Sequence, residues 1–326
     1  MYQRFYGLRE LPFELTSNPK YLYLTARHRE ALSNLEYGLS AAKSLTLLIG
    51  EAGTGKTTLL RAALESERCA HLRCVYLNNP ALTRTEFVTT LASRFALGEE
   101  ASRSKATLLE QLERALRQGR DRGEITALVV DEAQTLSTEL LEEIRLLANM
   151  ETAEEKLLPL VLAGQPELAS RLEDTSLRQL KQRVALRCEI TPFELPETAA
   201  YIATRIRTAG GVPSKLFTRE GVSLIHEHSR GIPRTVSVIC DNALVTGMAL
   251  ERQPVDRAIV LEVCRDFHLR RDSSASPSSR TEEYDAIEAA TPSDVTSQAE
   301  AAEEPPNRSE SGPKMRRFTL FGSGRR

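Results

Sequence analysis

Eight consecutive residues, Gly50-Glu51-Ala52-Gly53-Thr54-Gly55-Lys56-Thr57, follow the Walker A pattern G-x-x-x-x-G-K-[ST], and that pattern suits a row of phosphates. Glycines carry no Cβ, so the backbone N–H groups from Gly53 to Thr57 can turn into one concavity. A helix opening at the Lys-Thr pair adds the partial positive charge of its N-terminus. Lys56 would reach the β- and γ-phosphates of a nucleoside triphosphate, the Thr57 hydroxyl would ligate Mg²⁺, and Thr58 would close the binding segment. A short motif also arises by chance in Gly-containing turns. Here the flanks speak for the chemistry: Leu45-Thr46-Leu47-Leu48-Ile49 reads as a buried parallel strand and Thr58-Leu59-Leu60 as a helix, which places the glycines in a strand-to-helix turn.

Binding becomes hydrolysis when acids and a water-ordering group stand beside the phosphates. The apolar run Leu128-Val129-Val130 ends in Asp131-Glu132, a Walker B pattern. Asp131 would hold Mg²⁺ through water and Glu132 would polarise the attacking water. Adjacent carboxylates also suit a surface turn, although so apolar a strand following a phosphate loop points to a shared edge. Gln165, after Leu162-Ala163-Gly164, is either an amide that orients the water or senses the γ-phosphate, or a turn residue before Pro166. Arg183, and after it Arg178, are candidates for a guanidinium supplied to a neighbouring subunit's site, where phosphoryl transfer spreads negative charge; the alternative is an ordinary cationic helix face. In Gly231-Ile232-Pro233-Arg234, Gly and Pro fix a helix start and aim Arg234, which could swing onto the phosphates.

These groups need a scaffold with one shared edge. From Ser44 to Ile190 five short apolar runs (Leu45–Ile49, Cys74–Leu77, Ala127–Val130, Leu158–Ala163, Val184–Ile190) alternate with helical or polar segments, as in an α/β domain with a parallel sheet. Thr83-Arg84-Thr85-Glu86 suits a capping box ahead of Phe87, Val88, Leu91 and Phe95, and Leu108, Leu109, Leu112 and Leu116 mark a second helix. After Pro192 four helical segments follow, Glu197–Ala209, Arg219–Ser229, Pro233–Leu250 and Asp256–Leu269. The expected organisation is residues 1–43 packing on the core, 44–192 the α/β nucleotide-binding domain, 193–271 a helical lid, and 272–326 a disordered tail. That tail is rich in Ser, Pro, Ala, Glu and Thr, too polar to offset the entropy of folding. Lys314, Arg316, Arg317, Arg325 and Arg326 crowd its end around Phe318, Leu320 and Phe321, either as solvated chain or as a docking peptide.

Composition narrows the classes. The 326 residues exceed what one core usually fills, ~250–300 residues. Forty-three Lys plus Arg against 45 Asp plus Glu leave a formal charge of −2, without the footprint of a constitutive nucleic-acid binder. Five cysteines lack a C-x-x-C pair and lie mostly in apolar stretches, the pattern of reduced core residues. No uncharged apolar run approaches the ~18 residues that span a bilayer, and the N-terminus has no apolar signal segment, so the expected location is the cytoplasm.

Together the motifs resemble an AAA+ ATPase: phosphate loop, Asp-Glu strand end, polar sensor strand, arginine finger, then a helical lid with a second sensor arginine. More narrowly, Tyr6-Gly7-Leu8, Pro12-Phe13, Pro19, Tyr21-Leu22-Tyr23, His28-Arg29-Glu30-Ala31-Leu32, Glu143-Ile144-Arg145-Leu146-Leu147 with Asn149, Ala163-Gly164-Gln165-Pro166-Glu167-Leu168 and Leu177-Arg178-Gln179-Leu180 are similar to the ExeA/GspA-like ATPases of general secretion. ATPases associated with exopolysaccharide export, and TniB- or MuB-like ATPases that deliver transposition targets, share this core. The resemblance implies ATP and Mg²⁺ as ligands and an N-terminal segment beside the nucleotide, so that residues from Tyr21 to His28 border the adenine or form a structural clasp. It also implies a homo-oligomer in which one subunit completes its neighbour's site. Members used in secretion commonly continue into a membrane helix and a peptidoglycan-binding domain, which these residues do not include. The expected function is a Mg²⁺-dependent ATPase that remodels or licenses an envelope assembly, recruited to the inner membrane by a protein partner. The alternatives are a DNA-targeting ATPase of the transposition type and a nucleotide-gated scaffold.

Overall fold

The computed structural model describes residues 1–15, 19–78 and 81–267, all within one compact unit, Met1–Pro277. The expectation of a disordered tail over 272–326 lies outside the described residues, as do the basic and aromatic residues near its end.

Apolar, β-branched runs bounded by polar turns make five strands: β1 (Leu45–Gly50), β2 (Leu72–Leu77), β3 (Ile125–Val130), β4 (Leu160–Gly164) and β5 (Val184–Ile190). They form one parallel sheet in the order β2-β3-β4-β1-β5. The sequence expectation is met for all five, with ends that differ by at most two residues. β1 is buried along its whole length because helices cover both faces of the sheet.

Among the described residues, thirteen α-helices accompany the sheet: α1 (Tyr2–Tyr6), α2 (Ala26–Ser40), α3 (Lys56–Glu65), α4 (Arg84–Arg94), α5 (Lys105–Asp121), α6 (Thr138–Leu147), α7 (Pro166–Arg171), α8 (Arg178–Lys181), α9 (Leu195–Thr208), α10 (Pro213–Leu216), α11 (Arg219–Ser229), α12 (Pro233–Ala249) and α13 (Arg257–Asp266). The capping box at Thr83 and Glu86 starts α4, both reciprocal bonds being present. One sheet face packs on Phe87, Leu91, Leu112, Leu141 and Ile144 from α4, α5 and α6. The other packs on Leu35, Leu39, Leu59 and Leu60 from α2 and α3. Glu143, buried on α6, takes Arg84 at 2.7 Å and Lys105 at 2.8 Å, joining α4, α5 and α6 by charge as well as by apolar contact.

The helices after Phe193 gather around a separate apolar cluster that includes Ile206, Ile225, Val236, Ile239 and Val260. Tyr2, Tyr6, Leu8 and Phe13 belong to that cluster. Within residues 1–43, α2 lies on the sheet, whereas the first thirteen residues pack on the helical part. The reason is chemical. Tyr2 and Tyr6 bury their rings but need acceptors, and Asp241 and the Leu244 carbonyl on α12 supply them.

All five cysteines are free; Cys69, Cys188, Cys240 and Cys264 are buried and Cys74 is half-buried. Burial pushes the Cys188 and Cys264 thiols up to about 11, away from the thiolate form. No helix among the described residues is long and apolar enough to cross a membrane.

Candidate nucleotide site

Gly50–Thr57 emerges from the carboxyl end of β1 and leads into α3. Two glycines make the turn, Gly53 with φ 82 and Gly55 with φ 102, a left-handed conformation that a side chain would strain. Thr54 is buried, its hydroxyl donating to the Glu51 carbonyl at 2.8 Å, while Glu51 and Ala52 are exposed. Lys56 is buried, and its Nζ donates to the carbonyls of Gly50 at 2.7 Å and Glu51 at 3.0 Å. Burial pulls the Lys56 pKa down, opposed by the nearby Glu132 and Asp131 carboxylates.

Asp131 stands just past the end of β3, 1% exposed, with both carboxylate oxygens accepting hydrogen bonds. Thr57 Oγ1 donates to its Oδ2 at 2.6 Å, Tyr76 Oη on β2 donates to the same oxygen at 2.8 Å, and the Glu132 N–H donates to Oδ1 at 2.9 Å. Glu132 is half-buried and left-handed, φ 54 and ψ 36, a conformation costing roughly 1 kcal/mol or more for a residue with a Cβ. Its carboxylate Oε2 accepts from Gln134 Nε2 at 2.6 Å.

Gln134 is a contact that the sequence reading missed. Its Oε1 accepts the Gln165 backbone N–H at 3.1 Å, so one amide bridges Glu132 to the tip of β4. Arg171 clamps the backbone below it, donating to the Gln134 and Leu136 carbonyls at 2.8 and 2.6 Å. Gln165 is therefore brought to the site, but through its backbone, as N-cap of α7. The signal for Gln134 was its place two residues after Glu132, in a tight turn on the sheet edge.

Arg234 opens α12 beside the loop. Its backbone N–H donates to the Gly53 carbonyl at 3.2 Å, and a Cβ on Gly53 would meet the Arg234 Cβ at 2.9 Å. Gly231, φ 70, lies so close to Phe193 that a Cβ there would meet the Phe193 carbonyl oxygen at 2.0 Å. The Arg234 side chain is exposed and lines a cleft of about 320 Å³ together with Lys56, Thr57, Thr58, Glu132 and Arg205.

A second pocket of about 100 Å³ adjoins it, lined by Tyr21, Tyr23, His28, Phe193 and Tyr201 beside Thr54 and Gly55. Arg205 borders both and was not anticipated. It donates to the Pro12 carbonyl at 2.5 Å, Tyr201 Oη at 2.7 Å and the Glu14 carbonyl at 3.1 Å, and lies over the Tyr21 ring at 4.9 Å.

Arg178 and Arg183 stand elsewhere. Both are exposed and neither forms an ion pair with a described residue. Arg183 precedes Val184, which pairs with Leu45 at the start of β1, whereas the loop follows Gly50, paired with Ile190. The strand length between these ends, about 3.3 Å per residue, separates Arg183 from its own chain's loop by the depth of the sheet.

The oxygen donors suit Mg²⁺. Among the described residues no cluster of three or more His, Cys, Asp or Glu could cage a metal. The Thr57 hydroxyl and Asp131 carboxylate, with phosphate oxygens and water, form the sparse oxygen set that Mg²⁺ accepts.

A model of the AAA domain family matches residues 40–172. Over 249 residues the chain is 40% identical to General secretion pathway protein A of Aeromonas hydrophila, which covers 76% of this chain and 45% of that protein. The chain thus spans less than half the length of this relative. Among solved structures, Cdc6p of Pyrobaculum aerophilum matches with a TM-score of 0.58 at 19% identity, over 78% of this chain and 70% of that one. The Aeropyrum pernix ORC2 protein, solved as ADPNP-ADP complexes, matches with a TM-score of 0.57 at 16% identity, over 86% and 74%. At these identities the likeness is one of fold. Residues 40–172 thus match the AAA domain family, the fold is that of the P-loop AAA+ structures, and the chain is similar to general secretion pathway protein A.

Proposed function

We propose that this chain is a Mg²⁺-dependent ATPase whose nucleotide state sets the position of a helical lid, residues 193–271, on an α/β domain, residues 44–192. One observation carries the reading: Lys56, Thr57, Glu132 and the first turn of α12 at Arg234 line one cleft, with Asp131 bonded to Thr57 beneath it. The loop N–H groups and Lys56 bind the β- and γ-phosphates, and the pocket around Tyr21, Tyr23 and Phe193 takes the base. Thr57 and Asp131 would hold Mg²⁺, which would supply positive charge against the phosphate oxygens. Glu132 accepts the proton of the attacking water and Gln134 holds its carboxylate in place. Arg234 contacts the phosphates from the lid.

Arg183, at the opposite end of the strands from its own loop, acts on a neighbouring copy, which makes the active form a homo-oligomer. Similarity to general secretion pathway protein A supports a role at the cytoplasmic face of the envelope, remodelling or licensing a protein assembly there. The test is phosphate release from ATP by the full chain with Mg²⁺, with Lys56→Ala and Glu132→Gln alongside. Turnover that survives Glu132→Gln would remove Glu132 as the base.

A further inference from the structure

Two consecutive carbonyls of the phosphate loop are held by groups outside it. The Gly53 carbonyl takes the Arg234 N–H from the lid. The Thr54 carbonyl takes His28 Nε2, 3.2 Å away on α2. A carbonyl only accepts, so Nε2 carries the proton and Nδ1 accepts from Thr25 Oγ1 at 2.8 Å. Both ring nitrogens are satisfied in the neutral form, and the ring is wedged against Phe193, centroids 5.7 Å apart. Thr25 is also the N-cap of α2, which fixes where the ring projects.

The peptide between Thr54 and Gly55 is planar, with its N–H opposed to its carbonyl. Holding the carbonyl toward α2 turns the Gly55 N–H the other way, into the concavity that Lys56 enters. Among the described residues no acceptor takes that N–H. The His28 ring is also the nearest group to the left-handed Gly55 Cα, 4.0 Å from where a Cβ would stand.

Building on the ATPase reading, we infer that His28 is a positioning residue for phosphate recognition: through the Thr54 carbonyl it aims the Gly55 N–H at the terminal phosphates. It touches no reacting atom. Its effect is therefore confined to ligands that carry those phosphates, although the same ring borders the pocket assigned to the base.

The experiment compares the full-length wild type with His28→Ala, His28→Gln and His28→Leu, using displacement of a fluorescent ADP analogue by ADP and by adenosine, with melting temperature as the check on folding. A charge-assisted hydrogen bond lost is worth about tenfold in affinity. His28→Ala should weaken ADP about tenfold more than it weakens adenosine, and His28→Gln, whose amide can donate to the Thr54 carbonyl, should restore most of that difference. If alanine unfolds the chain, glutamine against leucine carries the same comparison. Equal losses for ADP and adenosine, or wild-type ADP affinity in the alanine and leucine variants, overturn the inference. A wild type that binds neither ADP nor ATP overturns the ATPase reading itself, before any variant is compared.

Discussion

The Arg234 N–H donates to the Gly53 carbonyl at 3.2 Å, so the first turn of α12 rests directly on the phosphate loop. Gly53 is where that contact is most exacting. An alanine there would adopt φ 82 and press its Cβ to 2.9 Å from the Arg234 Cβ and 3.1 Å from Ile232 Cγ2. Gly53→Ala should destabilise the fold by roughly 1–3 kcal/mol, and ADP affinity should fall with it. Thermal melts with and without ADP check both effects.

Lys56 and Glu132 should separate binding from turnover. Lys56→Ala removes the buried ammonium that enters the cleft and should abolish ATP binding, read by equilibrium titration. Glu132→Gln keeps the shape of the side chain but not its basicity. It should bind ATP as tightly as wild type and release phosphate at a rate lower by a factor of about 10²–10⁴.

Removal of the divalent ion gives a second separation. The protein oxygens available to Mg²⁺ are few, Thr57 Oγ1 and Asp131, and they are already bonded to one another at 2.6 Å. Excess EDTA should therefore stop ATP turnover without unfolding the chain, with circular dichroism unchanged and phosphate release restored by added Mg²⁺. Thr57→Ala should raise the Mg²⁺ concentration needed for half-maximal turnover.

Arg183 is exposed and lies at the opposite end of the β1–β5 pair from its own loop. Arg183→Ala should leave the melting midpoint nearly unchanged, within about 0.5 kcal/mol, yet lower turnover by about 10³-fold. Specific activity of the wild type should rise with protein concentration. Flat specific activity together with an active Arg183→Ala would show each chain to be self-sufficient, and Arg178→Ala then distinguishes the neighbouring cation.

Stability should fall on the acid side. Burial lowers the pKa of both His28 and His226 from 6.5. As pH drops past about 6.5 the unfolded chain takes up protons at these positions and the folded chain does not, so stability is full above that pH and declines toward the lowered values. Urea midpoints from pH 7.5 down to 5.5 should decrease, and His28→Gln should flatten the decline.

The sheet was legible because each strand is a short, predominantly apolar run with a polar stop, and a run such as Leu45–Ile49 needs no tertiary knowledge to be seen. The loop was legible for the same local reason: glycines at fixed offsets before Lys-Thr. What escaped is long-range. Arg205 contacts the Pro12 carbonyl across 193 residues of chain, and His28 meets Thr54 across 26. Nothing in the spacing of a lone arginine or histidine announces such a partner. Gln134 was hidden differently, since its amide acts through the Gln165 backbone rather than through any side-chain pattern. The place of the first thirteen residues was not legible, because their tyrosines carry no mark of which helix holds their acceptors.

The place of β1 in the sheet governs when the site can exist. Leu45 pairs with Leu160 on one side and Val184 on the other, both more than a hundred residues downstream. On the ribosome the loop is translated early, yet its strand has no neighbour until β4 emerges and is not enclosed until Ile190 follows. Closing such a long loop is entropically costly and makes folding slow. At about 5–20 residues per second, an apolar strand waits on the order of ten seconds for its partners, a vulnerable interval in which chaperones or aggregation compete for it.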